Sequence, residues 1–167
     1  NFSDKLTSKK LFGWHAALFP TGYSGKDKIN VAKYREHEMV VKSGWLAKEK
    51  VHLKAPHPNR IKTEMKLFIN WFNSSNEDSI IKAAKAHLWF ETIHPFDDGN
   101  GRIGRALTDM LLARSDGNKQ RFYSMSAAIL KKRKRYYKVL ESTQKGSINI
   151  TNWVLWFIET LDVAISD

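Results

Sequence analysis

The chain has 167 residues, 28 Lys and Arg against 17 Asp and Glu for a formal charge of +11, and a composition that is 42% hydrophobic and 12% aromatic. That is one domain's worth of protein with ample large side chains for a core, which excludes disordered and fibrous classes. Zero cysteines exclude disulfide scaffolds, zinc fingers, thiolate nucleophiles and iron–sulfur clusters. No apolar run approaches the ~18 residues of a membrane span. The start, Asn1-Phe2-Ser3-Asp4-Lys5, has neither an initiator Met nor a signal-peptide pattern and reads as a piece of something longer. The basic balance favours an anionic partner, whether nucleic acid, acidic lipid, nucleotide or acidic protein.

Ser3 and Asp4 offer N-caps for a first helix carrying Leu6, Leu11, Phe12, Trp14, His15 and Leu18, which Pro20-Thr21-Gly22 ends. After a loop rich in Gly and Lys, the runs Met39-Val40-Val41 and Val51-His52-Leu53 flank a turn at Ser43-Gly44-Trp45 and predict a hairpin over about 36–54. Pro56 and Pro58 introduce a helix whose Ile61, Met65, Phe68 and Phe72 recur at helical spacing, closed by Asn73-Ser74-Ser75-Asn76. From Asp78 to about Ile93 the pattern is apolar on nearly every face, which predicts a central helix stopped by His94-Pro95. A second central helix is expected from about Gly101 to Ala113, ended by Asp116-Gly117. Two more follow near 125–143 and 151–165, the last with Thr151 as N-cap and Trp153, Trp156, Phe157 and Leu161 inward. The expected fold class is an all-α bundle with one small hairpin, a single domain over 1–167. The run Lys131-Lys132-Arg133-Lys134-Arg135 sits within the apolar pattern Ile129, Leu130, Tyr136, Tyr137, Leu140 and reads as a solvated helix face.

The chemistry concentrates in residues 94–105, His-Pro-Phe-Asp-Asp-Gly-Asn-Gly-Arg-Ile-Gly-Arg. Gly99 and Gly101 around Asn100 let backbone N–H groups converge. A helix starting there adds its unpaired N–H groups and dipole, forming an anion-binding nest. Arg102 and Arg105, three apart on that helix, can fork onto phosphate oxygens. Asp98 is a hard oxygen ligand suited to a magnesium ion that bridges phosphates. A di- or triphosphate uses all of these groups together. His94, with an ordinary pKa of about 6.5, can take a proton from an attacking hydroxyl near neutral pH. Phe96 is expected to point into the core and pin the loop.

This segment resembles, at every fixed place, the signature of the Fic (filamentation induced by cAMP) family, His-x-Phe-x-(Asp/Glu)-Gly-Asn-Gly-Arg-x-x-Arg, filled by His94, Phe96, Asp98, Gly99, Asn100, Gly101, Arg102 and Arg105. The likeness extends to Tyr34-Arg35, the Pro-x-Pro helix with Met65, Trp71 and Asn73, and Tyr136-Tyr137 with Gly146 and Trp153, from about residue 8 to 160. It implies a Fic-type helical bundle with a hairpin flap, and a protein adenylyltransferase that moves AMP from ATP to a Ser, Thr or Tyr hydroxyl with release of pyrophosphate. On that resemblance His94 is the general base and Asp98 holds Mg2+. Gly99, Asn100 and Gly101 cradle the α- and β-phosphates, Arg102 clamps the β-phosphate and Arg105 the γ-phosphate. Tyr137 and Gln144 border the adenine, Gln144 standing where relatives often carry Asn. Lys50, Val51, His52 and Leu53 on the flap border both ATP and an extended target segment.

The resemblance also carries departures. None of the glutamates has Ser or Thr four residues earlier, so the inhibitory Ser/Thr-x-x-x-Glu helix of many relatives is missing. Either that helix lies in a lost N-terminal region, or an antitoxin-like partner supplies it, or regulation differs. Gly101 argues against the phosphorylating Doc branch, which places Lys there. Phosphocholine transfer remains an alternative donor chemistry. A homodimer is compatible with the resemblance, no membrane is implied, and cytoplasmic localisation is the expectation. Two rivals come from other classes. His87, Glu91 and His94 share one helix face as metal ligands would, and the 131–135 run with Tyr136 and Tyr137 suggests a nucleic-acid-binding module. The first leaves Arg102 and Arg105 without a role, and the second leaves the nest without one.

Overall fold

In the computed structural model, which describes residues 4–43, 50–116 and 123–166, helix α1 (Ser8–Leu18) starts where Thr7 Oγ1 accepts the Lys10 amide at 3.1 Å. Thr7, extended at φ −139°, ψ 159°, is therefore the cap, later than Asp4, while Ser3 lies outside the described residues, and Leu6 before it is tied elsewhere. Asn73 Oδ1 accepts the Leu6 amide and Asn73 Nδ2 donates to its carbonyl, both at 2.8 Å, while the Leu6 side chain is fully buried. Asp4 instead pairs with Lys10 at 3.3 Å. A two-residue ladder not foreseen from the sequence follows, β1 (Tyr23–Ser24) against β2 (Asp27–Lys28), turned through Gly25 at φ +60°. The expected hairpin is present as β3 (Val40–Ser43) antiparallel to β4 (Lys50–Lys54), with an irregularity between Val41 and Lys42. Of its anticipated turn at Ser43-Gly44-Trp45, Ser43 instead closes β3 opposite Lys50, and Gly44 and Trp45 lie outside the described residues.

Helix α2 (Pro58–Ser74) buries Ile61, Met65, Phe68 and Phe72, the predicted stripe. Helix α3 (Ser79–Ile93) is capped by Asp78, whose Oδ1 accepts the amides of Ile80 and Ile81 at 3.0 and 3.1 Å. Helix α4 spans Asn100–Asp116. The single helix expected near 125–143 is two, α5 (Met125–Lys131) and α6 (Arg133–Lys145), because Lys132 leaves helical torsions at φ −104°, ψ 23°. No Gly or Pro marks that break in the sequence. Helix α7 (Thr151–Ser166) begins with Asn149 Oδ1 accepting the Thr151 amide at 2.9 Å, so Asn149 rather than the Thr151 side chain serves its first turn.

The described chain is thus all-α apart from its small two-stranded sheets, and it forms two compact units. The first comprises Asp4–Asn76 with Trp89–Gly104. Its core gathers Phe68 with Phe72 and Phe90, each pair of ring centroids 5.8 Å apart, and Phe90 with Phe96 at 6.3 Å. The second comprises Glu77–Leu88 and the residues from Arg105 onward. There Trp153, wholly buried, donates its Nε1–H to the Ala84 carbonyl at 2.8 Å and packs on Trp156 at 5.1 Å. Among the described residues no helix is long and apolar enough to cross a membrane.

Candidate active site

In the first unit α3 ends at His94, whose amide still donates to the Phe90 carbonyl at 3.0 Å while its backbone turns into the left-handed region at φ +50°. A side chain with a Cβ pays about 1–2 kcal/mol for that conformation, so neighbouring contacts must hold it. Two residues on, Phe96 is fully buried and stacks on His15 at 4.3 Å, which pins the loop as expected. Asn100 braces the same residue: its Oδ1 accepts the Phe96 amide at 2.9 Å and its Nδ2 donates to the Phe96 carbonyl at 2.8 Å. The Asn100 side chain is therefore committed within the loop, and only its backbone N–H is left to face a ligand. Gly99 sits at φ +83°, and a Cβ there would come within 2.8 Å of Phe19 Cε2, so both torsion and space require glycine. Its carbonyl accepts the Ile103 amide at 3.0 Å, which makes 100–102 the first helical turn, with amides that have no intrahelical acceptor. The positive pole of α4 thus faces the space beside the loop. Gly104 lets α4 approach α3, since a Cβ would stand 2.9 Å from Glu91 Oε1.

The charged groups are equally ordered. His94 Nδ1 lies 3.3 Å from the Glu91 carbonyl, which can only accept, so Nδ1 carries the proton and Nε2 the lone pair. Burial pushes the His94 pKa below its ordinary value; the Glu91 carbonyl opposes this, the Arg35 charge adds to it, and Asp98 opposes it. Asp98 is about half exposed. Its Oδ2 accepts the Ser24 hydroxyl and lies 3.7 Å from Arg102 Nη2, while Oδ1 accepts the Gly99 amide. Arg102 also lies over the Phe19 ring, 4.6 Å from its centroid. His15 accepts the Ala32 amide at Nδ1 and therefore donates from Nε2 to the Asp98 carbonyl, both at 3.1 Å. Burial lowers its pKa as well, which keeps that tautomer neutral. Asp97 Oδ2 accepts the Asn30 amide at 2.8 Å. Arg35, 2% exposed, donates to the His94 carbonyl at 2.7 Å.

Of the residues singled out from the sequence, the structure brings His94, Asp98, Gly99, Asn100, Gly101 and Arg102 into this one loop and helix start. Arg105 follows one turn later on α4 and belongs to the second unit, as do Tyr137 and Gln144 on α6. The Tyr137 ring is half exposed, with Arg133 5.6 Å from its centroid. Lys50, Val51, His52 and Leu53 form β4 in the first unit, Val51 opposite Lys42 and Leu53 opposite Val41. The metal reading of His87, Glu91 and His94 fails at His87, whose Nδ1 and Nε2 lie 3.0 Å from Thr108 Oγ1 and from the Tyr136 hydroxyl. Among the described residues no group of three metal-ligating side chains occurs. Sequence reasoning missed His15, Ser24 and Gly104 as parts of this site, and gave Arg35 no role. Each lies outside the fixed positions of the motif; Arg35 stood in the likeness to the family without a role, and the other three carry no signal of their own.

Comparison with known proteins accords with the geometry. A probable protein adenylyltransferase of Aquifex aeolicus is 29% identical over 147 residues, 87% of this chain and 39% of its own length. Protein adenylyltransferase Fic of Drosophila virilis is 34% identical over 96 residues, 56% of this chain and 19% of that protein. The crystal structure of a Fic family protein from Desulfovibrio desulfuricans superposes with a TM-score of 0.81 at 23% identity, covering 98% of this chain and 47% of that one. Fic-1 of C. elegans gives 0.70 at 20%, with 97% and 42% covered. The chain spans less than half the length of each of these proteins. The model of the Fic/DOC family matches residues 5–112, from the start of the first unit through the whole of the His94 loop and most of α4, and the chain belongs to that family.

Proposed function

We propose that this chain transfers AMP from ATP to a hydroxyl of a protein target. The observation that carries the reading is the neutral, Nδ1-protonated His94 held at the edge of the α4 N-terminal nest, in a family whose members include relatives named protein adenylyltransferases. His94 Nε2 removes the proton of the target Ser, Thr or Tyr hydroxyl. The oxygen attacks the α-phosphorus, the bond to the β-phosphate breaks, and pyrophosphate leaves. Backbone N–H groups of 99–101 and the α4 dipole hold the α- and β-phosphates, Arg102 takes the β-phosphate after leaving Asp98, and Arg105 takes the γ-phosphate. Most of the rate then comes from positioning and charge neutralisation.

The residues present fit a magnesium ion. A single half-exposed carboxylate, Asp98, is what such an ion uses when phosphates and water supply its other ligands. When bound there, the ion would neutralise charge on the phosphates. Tyr137 and Gln144 receive the adenine, and β4, with Lys50, Val51, His52 and Leu53, aligns the target by strand addition.

The reading is tested by incubating the chain and its His94→Ala form with α-labelled ATP, Mg2+ and a cell lysate, followed by gel and intact-mass analysis. An AMP-sized addition to an acceptor that disappears in His94→Ala is expected. Equal labelling by both forms would refute the base assignment. A phosphate-sized or phosphocholine-sized addition, with the matching donor supplied, would move the chain to another chemistry of the family.

A further inference from the structure

We infer that Arg35 is a positioning residue that holds the base His94 and the two feet of the β3–β4 hairpin in one arrangement, an assignment that rests on the transfer reading above. Its guanidinium donates to four backbone carbonyls in two separate places. Nε reaches the His94 carbonyl at 2.7 Å and Nη2 the Ile93 carbonyl at 3.5 Å, at the end of α3. Nη1 reaches the His37 carbonyl and Nη2 the Pro56 carbonyl, at 2.7 and 2.6 Å. His37 and Pro56 immediately flank the hairpin, whose pairing is extended to its base by the Ala55 amide on the Met39 carbonyl at 3.0 Å. The Arg35 amide adds a bond to the Pro95 carbonyl at 2.9 Å. The carbonyls on both sides of the His94–Pro95 peptide are thus fastened by one residue.

Three physical points give the arrangement its consequence. The carbonyls ending a helix lack intrahelical donors and form its negative pole, so a buried cation belongs there. His94 keeps its left-handed backbone only if its surroundings impose it, and Arg35 is bound to its carbonyl. Glu38 and His57, each next to one of those feet, line a cleft of about 790 Å³ with Tyr34, Arg35 and Ile61, and the Arg35 bonds tie the two feet on that side. A planar guanidinium can serve carbonyls in two segments at once. A lysine ammonium keeps the charge but is a point donor and reaches one of them.

The experiment compares wild type, Arg35→Lys and Arg35→Met, using the acceptor labelled in the preceding assay. In Arg35→Lys we expect cooperative unfolding, a KM for ATP within about twofold of wild type, kcat lowered at least tenfold and the KM for the acceptor raised severalfold. A residue needed only for stability would lower Tm and leave both constants unchanged. The pH profile adds a second readout. Glu91, Asp98 and Arg35 are the charged groups facing His94. Arg35→Lys should leave the acid limb of kcat in place, and Arg35→Met, which removes the cation, should move it to higher pH. Wild-type kcat and acceptor KM in Arg35→Lys would overturn the assignment, and so would its failure to fold. If wild type transfers no AMP, the transfer reading fails by itself. Hydrogen exchange at the His94 and Ala55 amides then decides the fastening: faster exchange in Arg35→Lys supports it and unchanged exchange overturns it.

Discussion

At His94 the useful property is which ring nitrogen is free. The Glu91 carbonyl takes the Nδ1 proton, so the neutral ring offers Nε2 as a base, and burial keeps it neutral below the pH at which an ordinary imidazole titrates. The sign follows directly. A lowered pKa means that the base is lost only as pH falls through a value under 6.5. On the proposed function, the rate of AMP transfer should hold its plateau down to about pH 6.5 and fall below it; a half-maximal point at or above 6.5 in a kcat profile would contradict this. Asn100 teaches the complementary lesson. It occupies a fixed motif position, yet its side chain grips the Phe96 backbone, so it shapes the nest from within. Gly99 owes its identity to the Phe19 ring as much as to its torsion, a contact across 80 positions that a motif does not display.

At the scale of elements, long apolar periodicity was the readable part. The stripe on α2 and the aromatic face of α7 were legible because burial repeats at 3.6 residues. The break at Lys132 and the β1–β2 ladder were not, since the first has no breaker residue and the second is too short for any period. Within the second unit, α3, α4 and α6 are joined by His87 between Thr108 and Tyr136, all buried. Burial, reinforced by the Arg105 charge, pushes the His87 pKa down to about 3. The unfolded chain therefore binds a proton before the folded one does, and stability from this residue is full above about 6.5 and is lost as pH falls toward 3. His87→Gln cannot titrate and leaves one hydroxyl poorly partnered. It should lower stability by about 1–3 kcal/mol at pH 7.5 and lose less Tm than wild type between pH 7 and 4.5. Parallel Tm curves for the two proteins would show that His87 does not set that slope.

Over the whole molecule the charge of +11 invites a nucleic-acid reading, but the densest basic run has local partners. Arg135 pairs with Glu159 at 2.8 Å, Lys132 Nζ donates to the Glu159 carbonyl at 3.4 Å, and Arg133 lies over Tyr137. Lys131, Arg133 and Lys134 are exposed. Converting Lys131 and Lys134, the two that do not lie over Tyr137, to Glu should reduce the salt needed to elute the chain from DNA-cellulose and leave the proposed AMP transfer within about twofold at 0.15 M salt. A large loss of transfer would give this face a part in the reaction. The sequence alone determined the helical class and the main helices, and it singled out residues 94–105 for their chemistry, because each reading depends on neighbours within a few positions: periodic burial, a proline stop, glycines beside a helix start. Only the tertiary structure decided what holds that chemistry in place. Arg35 meets His94 across 59 positions, Ser24 meets Asp98 across 74 and His15 meets the Asp98 carbonyl across 83. Such bonds form between polar groups that are wholly or partly buried and must find partners when the chain closes. The choice of partner is made by packing in three dimensions, which leaves no period or spacing along a single chain.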